Sequence, residues 1–338
     1  MNSEIKTIET KKTVSSLCWN GDDLIDFADG GNIYQLDGTA LRSRYFNAFK
    51  FDAAVISPSR RFGVAYEKLG TKGVIFHENK VIREINRSFY FAGTYEYPVV
   101  LFQLPDGREV IAHCPDKYNK LEIEELETGK RLTQRDNKPQ DFFHSRLTVS
   151  PDSKHLMSAG WIWQPIDWIA VYEVEQVLRE PSLLDTDFVP FGFASGDINS
   201  ACFLNSEEFV CWSTDDAEDF DEDEPEENRH LLLRPGNIGV FDLQAKSWRS
   251  VVLTTAEIGT MFALDEKHVL SVYDHPKVVD VATGEVVQQW PELKTSKQSS
   301  SIIRHIDPIP PMAFDKTNRR FAVAEDKTIR VITIPHYD

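Results

Sequence analysis

Residues 259–290 read GTMFALDEKHVLSVYDHPKVVDVATGEVVQQW, and this stretch decides the fold. It contains four short apolar runs, and polar turn residues separate each run from the next. Gly284 lies in the last turn, where a tight hairpin needs a residue that tolerates a positive φ. The stretch therefore predicts one antiparallel sheet of four short strands.

The same unit recurs along the chain, with loops of variable length between its second and third strands. Gly, Pro, Asp, Asn and Ser dominate the first turn of the copies, and these residue types favour tight turns. Seven copies at a spacing of about 48 residues predict an all-β fold, a single seven-bladed β-propeller of four-stranded antiparallel blades. The predicted blades span residues 14–50, 51–92, 93–140, 141–190, 195–254, 256–305 and 306–338.

The segment TVSPDSKHL, residues 148–156, resembles the strand–turn–strand core of WD40-like repeats. The resemblance covers nearly the whole chain, but it is to a fold class, because the Trp-Asp and Gly-His signatures of eukaryotic WD40 repeats are absent. It implies a propeller. At the same level, some bacterial propellers and many acidic single-domain proteins of this size resemble immunity proteins that are paired with toxins.

The seventh copy supplies only three strands, whereas residues 1–12 contain a strand-like segment without a blade of its own. A ring needs its last blade completed, since an open edge strand promotes aggregation. We therefore expect Ile5 to Lys11 to form the outer strand of the seventh blade.

An acidic run lies between the second and third strands of the fifth copy, within a loop that spans residues 213–236. Ten of its thirteen residues are acidic: Asp215, Asp216, Glu218, Asp219, Asp221, Glu222, Asp223, Glu224, Glu226 and Glu227. Because the run contains no Gly, it does not fit a calcium loop of the EF-hand type. Two interpretations stay open, a solvated loop and an electrostatic surface that faces a partner.

Charge limits the classes of partner. The run contributes ten of the negative charges behind a net charge of −17. Such a surface disfavours binding to nucleic acid and to anionic membranes. It favours a basic protein, such as a toxin domain, as the partner.

Two faces of the ring are predicted to differ. The turns between the first and second strands and between the third and fourth strands lie on one face, the tight-turn face. The loops between the second and third strands and the connections between blades lie on the other, the long-loop face.

The segment GWIWQPIDW, residues 160–168, contains Trp161, Trp163 and Trp168 and is predicted to be a loop on the long-loop face, next to the acidic run. Trp is enriched at interaction hot spots, so we expect these three tryptophans, together with the ten acidic residues, to bind the partner. The alternative is that Trp161 and Trp163 pack under the loop and that Trp168 begins a buried strand.

Two further features concern the rest of the surface. Val174, Val177 and Leu178 recur at helical spacing before Pro181, which predicts a short helix between the third and fourth strands of the fourth blade. Arginine pairs at residues 60–61 and 319–320 lie in or beside equivalent turns of the second and seventh copies. Two interpretations are open: the pairs give the tight-turn face positive charge, or they are merely solvated turn residues.

The compartment is predicted from what the sequence lacks. The N-terminal residues show no apolar core of a secretory signal, and no apolar stretch is long enough to cross a bilayer. Four scattered cysteines, without a CxxC pair, read as buried thiols. We expect a cytoplasmic protein.

No motif of a nucleophile elbow, zinc protease, P-loop or dinucleotide site occurs, and the nine histidines are dispersed. We therefore expect no catalytic residues, no cofactor and no metal, and a protein-binding propeller of the immunity type. One alternative is a hydrolase or lyase at the central channel that uses loop residues such as Asp167, Asp274 and His275. The other is a scaffold that binds several partners.

Overall fold

The apolar runs form strands and the turn residues join them in the computed structural model of the chain, which describes residues 4–42, 49–78, 80–163, 165–186, 194, 196–214 and 232–337. Strand β1 (Ile5–Glu9) precedes the first blade. Blade 1 comprises β2 (Cys18–Asn20), β3 (Asp23–Asp26), β4 (Asn32–Tyr34) and β5 (Ala40–Leu41). Blade 2 comprises β6 (Ala53–Ile56), β7 (Phe62–Tyr66), β8 (Lys72–His77) and β9 (Lys80–Asn86). Blade 3 comprises β10 (Val99–Gln103), β11 (Glu109–His113) and β12 (Glu122–Glu125).

The remaining blades follow in chain order. Blade 4 comprises β13 (Phe142–Phe143), β14 (Leu147–Val149), β15 (His155–Ile162) and β16 (Ile166–Glu173). Blade 5 comprises β17 (Ile198–Phe203), β18 (Glu208–Ser213), β19 (Asn237–Asp242) and β20 (Ser247–Leu253). Blade 6 comprises β21 (Met261–Ala263), β22 (His268–Ser271), β23 (Lys277–Asp280) and β24 (Val286–Gln289). Blade 7 comprises β25 (Met312–Asp315), β26 (Arg320–Glu325), β27 (Thr328–Thr333) and, from the start of the chain, β1.

The seven sheets form a ring, which confirms the predicted all-β, seven-bladed propeller. The inner strands contact their neighbours from β25 through β2, β6, β10, β14 and β17 to β21. A cluster of buried apolar side chains that includes Leu270 and Phe321 joins blades 6 and 7. The core therefore consists of side chains interleaved between neighbouring sheets.

The predicted closure is also confirmed. Strand β1 pairs antiparallel with β27, from Ile5 opposite Ile332 to Glu9 opposite Thr328. The strand ends two residues before the predicted end at Lys11, although the amide of Thr10 still donates a hydrogen bond to the carbonyl of Lys327.

Blades 3 and 4 depart from the four-stranded plan. In blade 3, a single bridge between Glu124 and Arg131 marks the position of the fourth strand. In blade 4, β13 and β14 lie end to end along the same edge of β15, while β16 covers its other edge.

The predicted helix is present as α1 (Val174–Arg179), followed by a 3-10 helix (Pro181–Asp185). Val174 and Val177 are buried against side chains of blades 3 and 4. The fourth strand that was predicted after the helix falls on the residues that follow the 3-10 helix, and of these residues 187–193 lie outside the described residues.

The connection between β24 and β25 crosses the ring, and we call residues 294–303 the crossing segment. It begins at blade 6, where the amide of Thr295 donates to the carbonyl of Asp274. It ends against the connection that leads into blade 3, where the amide of Ile303 donates to the carbonyl of Thr94. Because blades 3 and 6 lie on opposite sides of a seven-membered ring, the segment spans the centre of the long-loop face.

The two arginine pairs are not equivalent. Arg319 and Arg320 are buried, so both predicted alternatives are wrong for this pair: they neither add free positive charge to the tight-turn face nor are merely solvated. Arg319 Nη1 lies 3.1 Å from Asp265 Oδ2 of blade 6, and Arg320 Nη1 lies 3.0 Å from Asp22 Oδ1 of blade 1. Arg60 and Arg61, in contrast, are exposed.

Candidate protein-interaction surface

The tryptophan segment is a tight hairpin rather than the long loop that its sequence indicates. Strands β15 and β16 are each eight residues long, so Trp161 lies near the end of one strand and Trp168 lies in the next. The two strands pair as far as Ile162 opposite Ile166. The long strands carry this hairpin to the long-loop end of blade 4.

The three tryptophans occupy three environments. Trp161 is buried, with 2% of its surface exposed, and stacks on Phe143 with ring centroids 3.7 Å apart and planes 7° apart. Trp168 is half-buried against the cores on both sides of blade 4. Trp163 is 55% exposed. Of the three, Trp163 is the exposed side chain, while Trp161 forms the support beneath it.

Other aromatic side chains extend this support. Tyr118 of blade 3 stacks on Phe143 at 4.3 Å, and Tyr90 lies 4.8 Å from Tyr118. Phe91 packs its edge against Trp161 and Trp163, at 6.2 Å and 5.5 Å. Offset and edge-on contacts of this kind are favourable arrangements of aromatic pairs.

The outer members form an exposed surface that we call the aromatic patch. Phe89 is 85% exposed and Tyr90 is 50% exposed, and together with Phe91 and Trp163 they make up the patch. Phe89, Tyr90 and Phe91 come from the connection between blades 2 and 3. The sequence signal for them was the run SFYFAG, three aromatics in a short connection, which the sequence analysis missed.

Arg87 holds that connection in place from below. Its guanidinium donates to the carbonyls of Gly70, Ala92 and Tyr95, at 2.7, 2.6 and 3.0 Å. It also lies 4.7 Å from the centre of the Tyr95 ring, within the range of a cation–π contact. Burial lowers the pKa of Arg87 from its ordinary value.

The acidic residues 215–227 lie outside the described residues, but the two ends of their loop are described. The carbonyl of Ser213 accepts a hydrogen bond from the amide of Gly236, so the ends leave blade 5 side by side. The Asn199 side chain accepts from the amide of Thr214 at 3.0 Å and donates to Asp167 Oδ2 at 3.0 Å. The root of the acidic loop is therefore joined to the strand that follows Trp163.

Asp167 belongs to a buried polar group beneath the crossing segment. Ser301 Oγ donates to Asp167 Oδ1 at 3.3 Å, and Gln298 Nε2 donates to Glu96 Oε2 at 3.1 Å. Burial raises the pKa of Asp167, against the opposing charge of Arg146. A segment of the chain therefore covers this carboxylate.

Asp274 and His275 contact each other rather than Asp167. His275 Nδ1 lies 3.0 Å from Asp274 Oδ2, and His275 Nε2 lies 3.2 Å from Gln289 Oε1. Asp274 lines an open depression of about 390 Å³ on blade 6 with Lys277, whose pKa is lowered by burial. The described contacts do not bring together the three residues of the hydrolase alternative.

Within the described ranges, no group of three His, Cys, Asp or Glu side chains is arranged to hold a metal ion. Across those same residues, no helix is both long and apolar enough to cross a membrane. All four cysteines are buried free thiols.

Comparison with protein-family models and with curated proteins finds no match to the chain. The resemblance to WD40-like repeats therefore stands at the level of the propeller fold, and function has to be inferred from the surface.

Proposed function

We propose that this chain is a non-enzymatic, protein-binding propeller, and in its sharpest form an immunity-type protein that neutralises a basic toxin or effector in the cytoplasm. The aromatic patch is the observation that carries the proposal. Trp and Tyr are enriched at interaction hot spots, and apolar patches exposed on a folded surface mark sites of association.

The rigidity of the patch supports this function. Its base is the stack of the buried rings of Phe143 and Trp161, and Arg87 fixes the segment that carries Phe89 and Tyr90. Aromatic side chains that are already ordered lose little conformational entropy when a partner covers them. The binding energy of such a surface comes from burial of the rings.

The negative charge of the acidic loop indicates what kind of partner the face binds. It leaves blade 5 on the same face as the patch, next to the hairpin of Trp163. Ten carboxylates steer a basic protein toward the face and accelerate its association, while the rings anchor it. The proposed partner is therefore a basic protein with an apolar contact surface.

The proposal is tested by affinity capture from the source lysate, followed by kinetics with the purified partner. Phe89→Ser/Trp163→Ser should weaken binding at least about thirtyfold, because two aromatic anchors are lost. Replacing the ten acids by Asn and Gln should slow association. With the wild-type chain, association should slow at least about tenfold from about 50 to about 500 mM salt.

Leu253→Ser is the matched control, since Leu253 is an exposed apolar side chain on the outer strand β20. This variant should bind like the wild type. Equal affinity of the patch variant and the control would show that the partner binds elsewhere. Several unrelated partners in the capture would favour the scaffold alternative.

The hydrolase or lyase alternative predicts the opposite pattern. Asp274→Asn and His275→Asn should abolish the function of an enzyme and leave a binder unaffected. Loss of function in these variants, with normal partner binding, would contradict the proposal.

A further inference from the structure

We propose that the cleft between blades 1 and 2 binds a small organic anion with an apolar body. A cavity of about 340 Å³ lies there, within the size range of small-molecule sites. Its apolar wall consists of Ile25, Phe27, Ile33, Ile56, Phe62 and Phe76. Its polar rim includes Arg42, Arg60, Arg61 and Glu78.

The cavity exists because blade 1 is small. Strand β2 has three residues and β5 has two, so this blade offers little side-chain volume to its neighbour. Among the described residues, the apolar side chains between blades 1 and 2 form two small clusters, which meet where the rings of Phe27 and Phe76 lie with centroids 6.4 Å apart. A single larger cluster fills the cleft between blades 2 and 3.

The charge of the rim is opposite to that of the chain. Three arginines and one glutamate line the cavity of a protein with a net charge of −17. Arg61 Nη2 lies 2.9 Å from His77 Nε2, and Arg61 Nε lies 3.9 Å from Glu78 Oε1. In the described part of the chain, the guanidinium groups of Arg42 and Arg60 have no hydrogen-bond or ion-pair partner.

Comparison with blade 7 shows what Arg60 lacks. Arg60 and Arg319 occupy the same left-handed position of the first turn, with φ of 65° and 51°. Arg319 reaches the first turn of the preceding blade and pairs with Asp265 there. The first turn that precedes Arg60 offers Gly21, and its neighbour Asp22 already pairs with Arg320. Arg60 is therefore left as an uncompensated cation at the mouth of the cleft.

These features define the ligand class. An anionic head, such as a carboxylate, sulfonate or phosphate, would accept charge-assisted hydrogen bonds from Arg42 and Arg60. A flat or branched apolar body would occupy the space between Phe27, Ile33 and Ile56. The site is separate from the aromatic patch, so the two proposals fail independently.

The test uses two fluorescent probes of the full chain, anilinonaphthalene sulfonate and its uncharged analogue N-phenylnaphthylamine. Titrations are made on the Phe89→Ser/Trp163→Ser background, which removes binding to the aromatic patch. The sulfonate should bind saturably and at least about tenfold more tightly than the neutral analogue. Arg42→Gln/Arg60→Gln should weaken sulfonate binding at least about tenfold, and inorganic phosphate at high concentration should compete.

Arg108→Gln is the control, because Arg108 lies in the first turn of blade 3 and does not line the cavity. It should bind the sulfonate like the wild type, and thermal unfolding should be unchanged in both arginine variants. Ile56→Phe, which fills the cavity and keeps every charge, should also weaken binding. Any of three results would overturn the proposal. The sulfonate could bind equally to the wild type and to Arg42→Gln/Arg60→Gln, the two probes could bind equally, or the sulfonate could show no saturable binding below about 1 mM.

Discussion

Gly160 permits the close approach on which the tryptophan hairpin depends. A Cβ atom at this position would lie 2.0 Å from the carbonyl oxygen of Phe143, which belongs to backbone that cannot move aside freely. We expect Gly160→Ala to destabilise the protein by about 2 to 3 kcal/mol in chemical unfolding, as forced backbone shifts do in packed interiors. It should also disturb the stack of Trp161 on Phe143.

Gly93 provides the control for that substitution. A Cβ atom there would meet nothing within 4 Å, so Gly93→Ala should change the free energy of unfolding by less than about 0.5 kcal/mol. Equal losses in the two variants would contradict the steric explanation.

His144 makes stability depend on pH. Burial, with the charge of Arg135 in addition, lowers the pKa of His144 to about 3. In the unfolded chain the imidazole binds a proton as the pH falls below about 6.5, whereas in the folded protein it stays neutral. The free energy of unfolding therefore decreases as the pH is lowered. We expect this residue to account for a loss of about 2 kcal/mol between neutral pH and pH 5.

Chemical unfolding at several pH values measures that loss, and His144→Gln should reduce the slope between pH 6.5 and 5. Nuclear magnetic resonance of the imidazole gives an independent readout. A His144 signal that titrates with a midpoint near 6.5 would refute the prediction.

At the scale of elements, a buried ion pair ties the 3-10 helix to blade 3. Arg135 Nε and Nη2 donate to the two carboxylate oxygens of Asp185, at 2.7 and 2.6 Å. Asp185→Asn would leave the guanidinium buried beside a neutral amide. We expect it to lower the free energy of unfolding by about 3 to 5 kcal/mol, measured by denaturant titration.

The exposed pair of Asp106 and Arg108 is the comparison. Asp106→Asn should cost less than about 1 kcal/mol, because solvent screens exposed charges. Similar losses for both variants would show that the buried pair does not anchor the helix.

Hairpins were predictable because each depends on local turn chemistry, as in LDEK and ATGE around blade 6. The helix was predictable from the spacing of Val174 and Val177. The length of β15 and β16 was not, since Trp161 and Trp168 fit a loop and a strand equally well in sequence. Phe143, which pairs with Trp161, and the supporting Tyr118 come from other segments of the chain, and only the tertiary structure brings these rings together.

Closure of the ring is a property of the whole molecule. Ile8 of β1 is fully buried in the cluster between blades 7 and 1. Ile8→Ala should therefore lower the free energy of unfolding by about 2 to 5 kcal/mol, and deletion of residues 1–12 should lower it further. Thermal unfolding followed by circular dichroism measures both changes.

Lys6→Ala is the control, because Lys6 is exposed on the same strand and should be replaceable with little effect. An unchanged unfolding temperature after deletion of residues 1–12 would show that β1 does not close the ring.

The crossing segment gives the ring a mechanical property that contacts between adjacent blades do not supply. Contacts between adjacent sheets resist separation of neighbours, but they allow a ring to flatten into an oval. The crossing segment is hydrogen-bonded to blade 6 at Thr295 and, at Ile303, to the connection that leads into blade 3. It therefore resists a change in the distance between these two sides of the ring. Through Ser301 and Asp167, the crossing segment is also joined to the strand that follows Trp163, so it links blade 4 to blade 6 without passing through the sheet of blade 5.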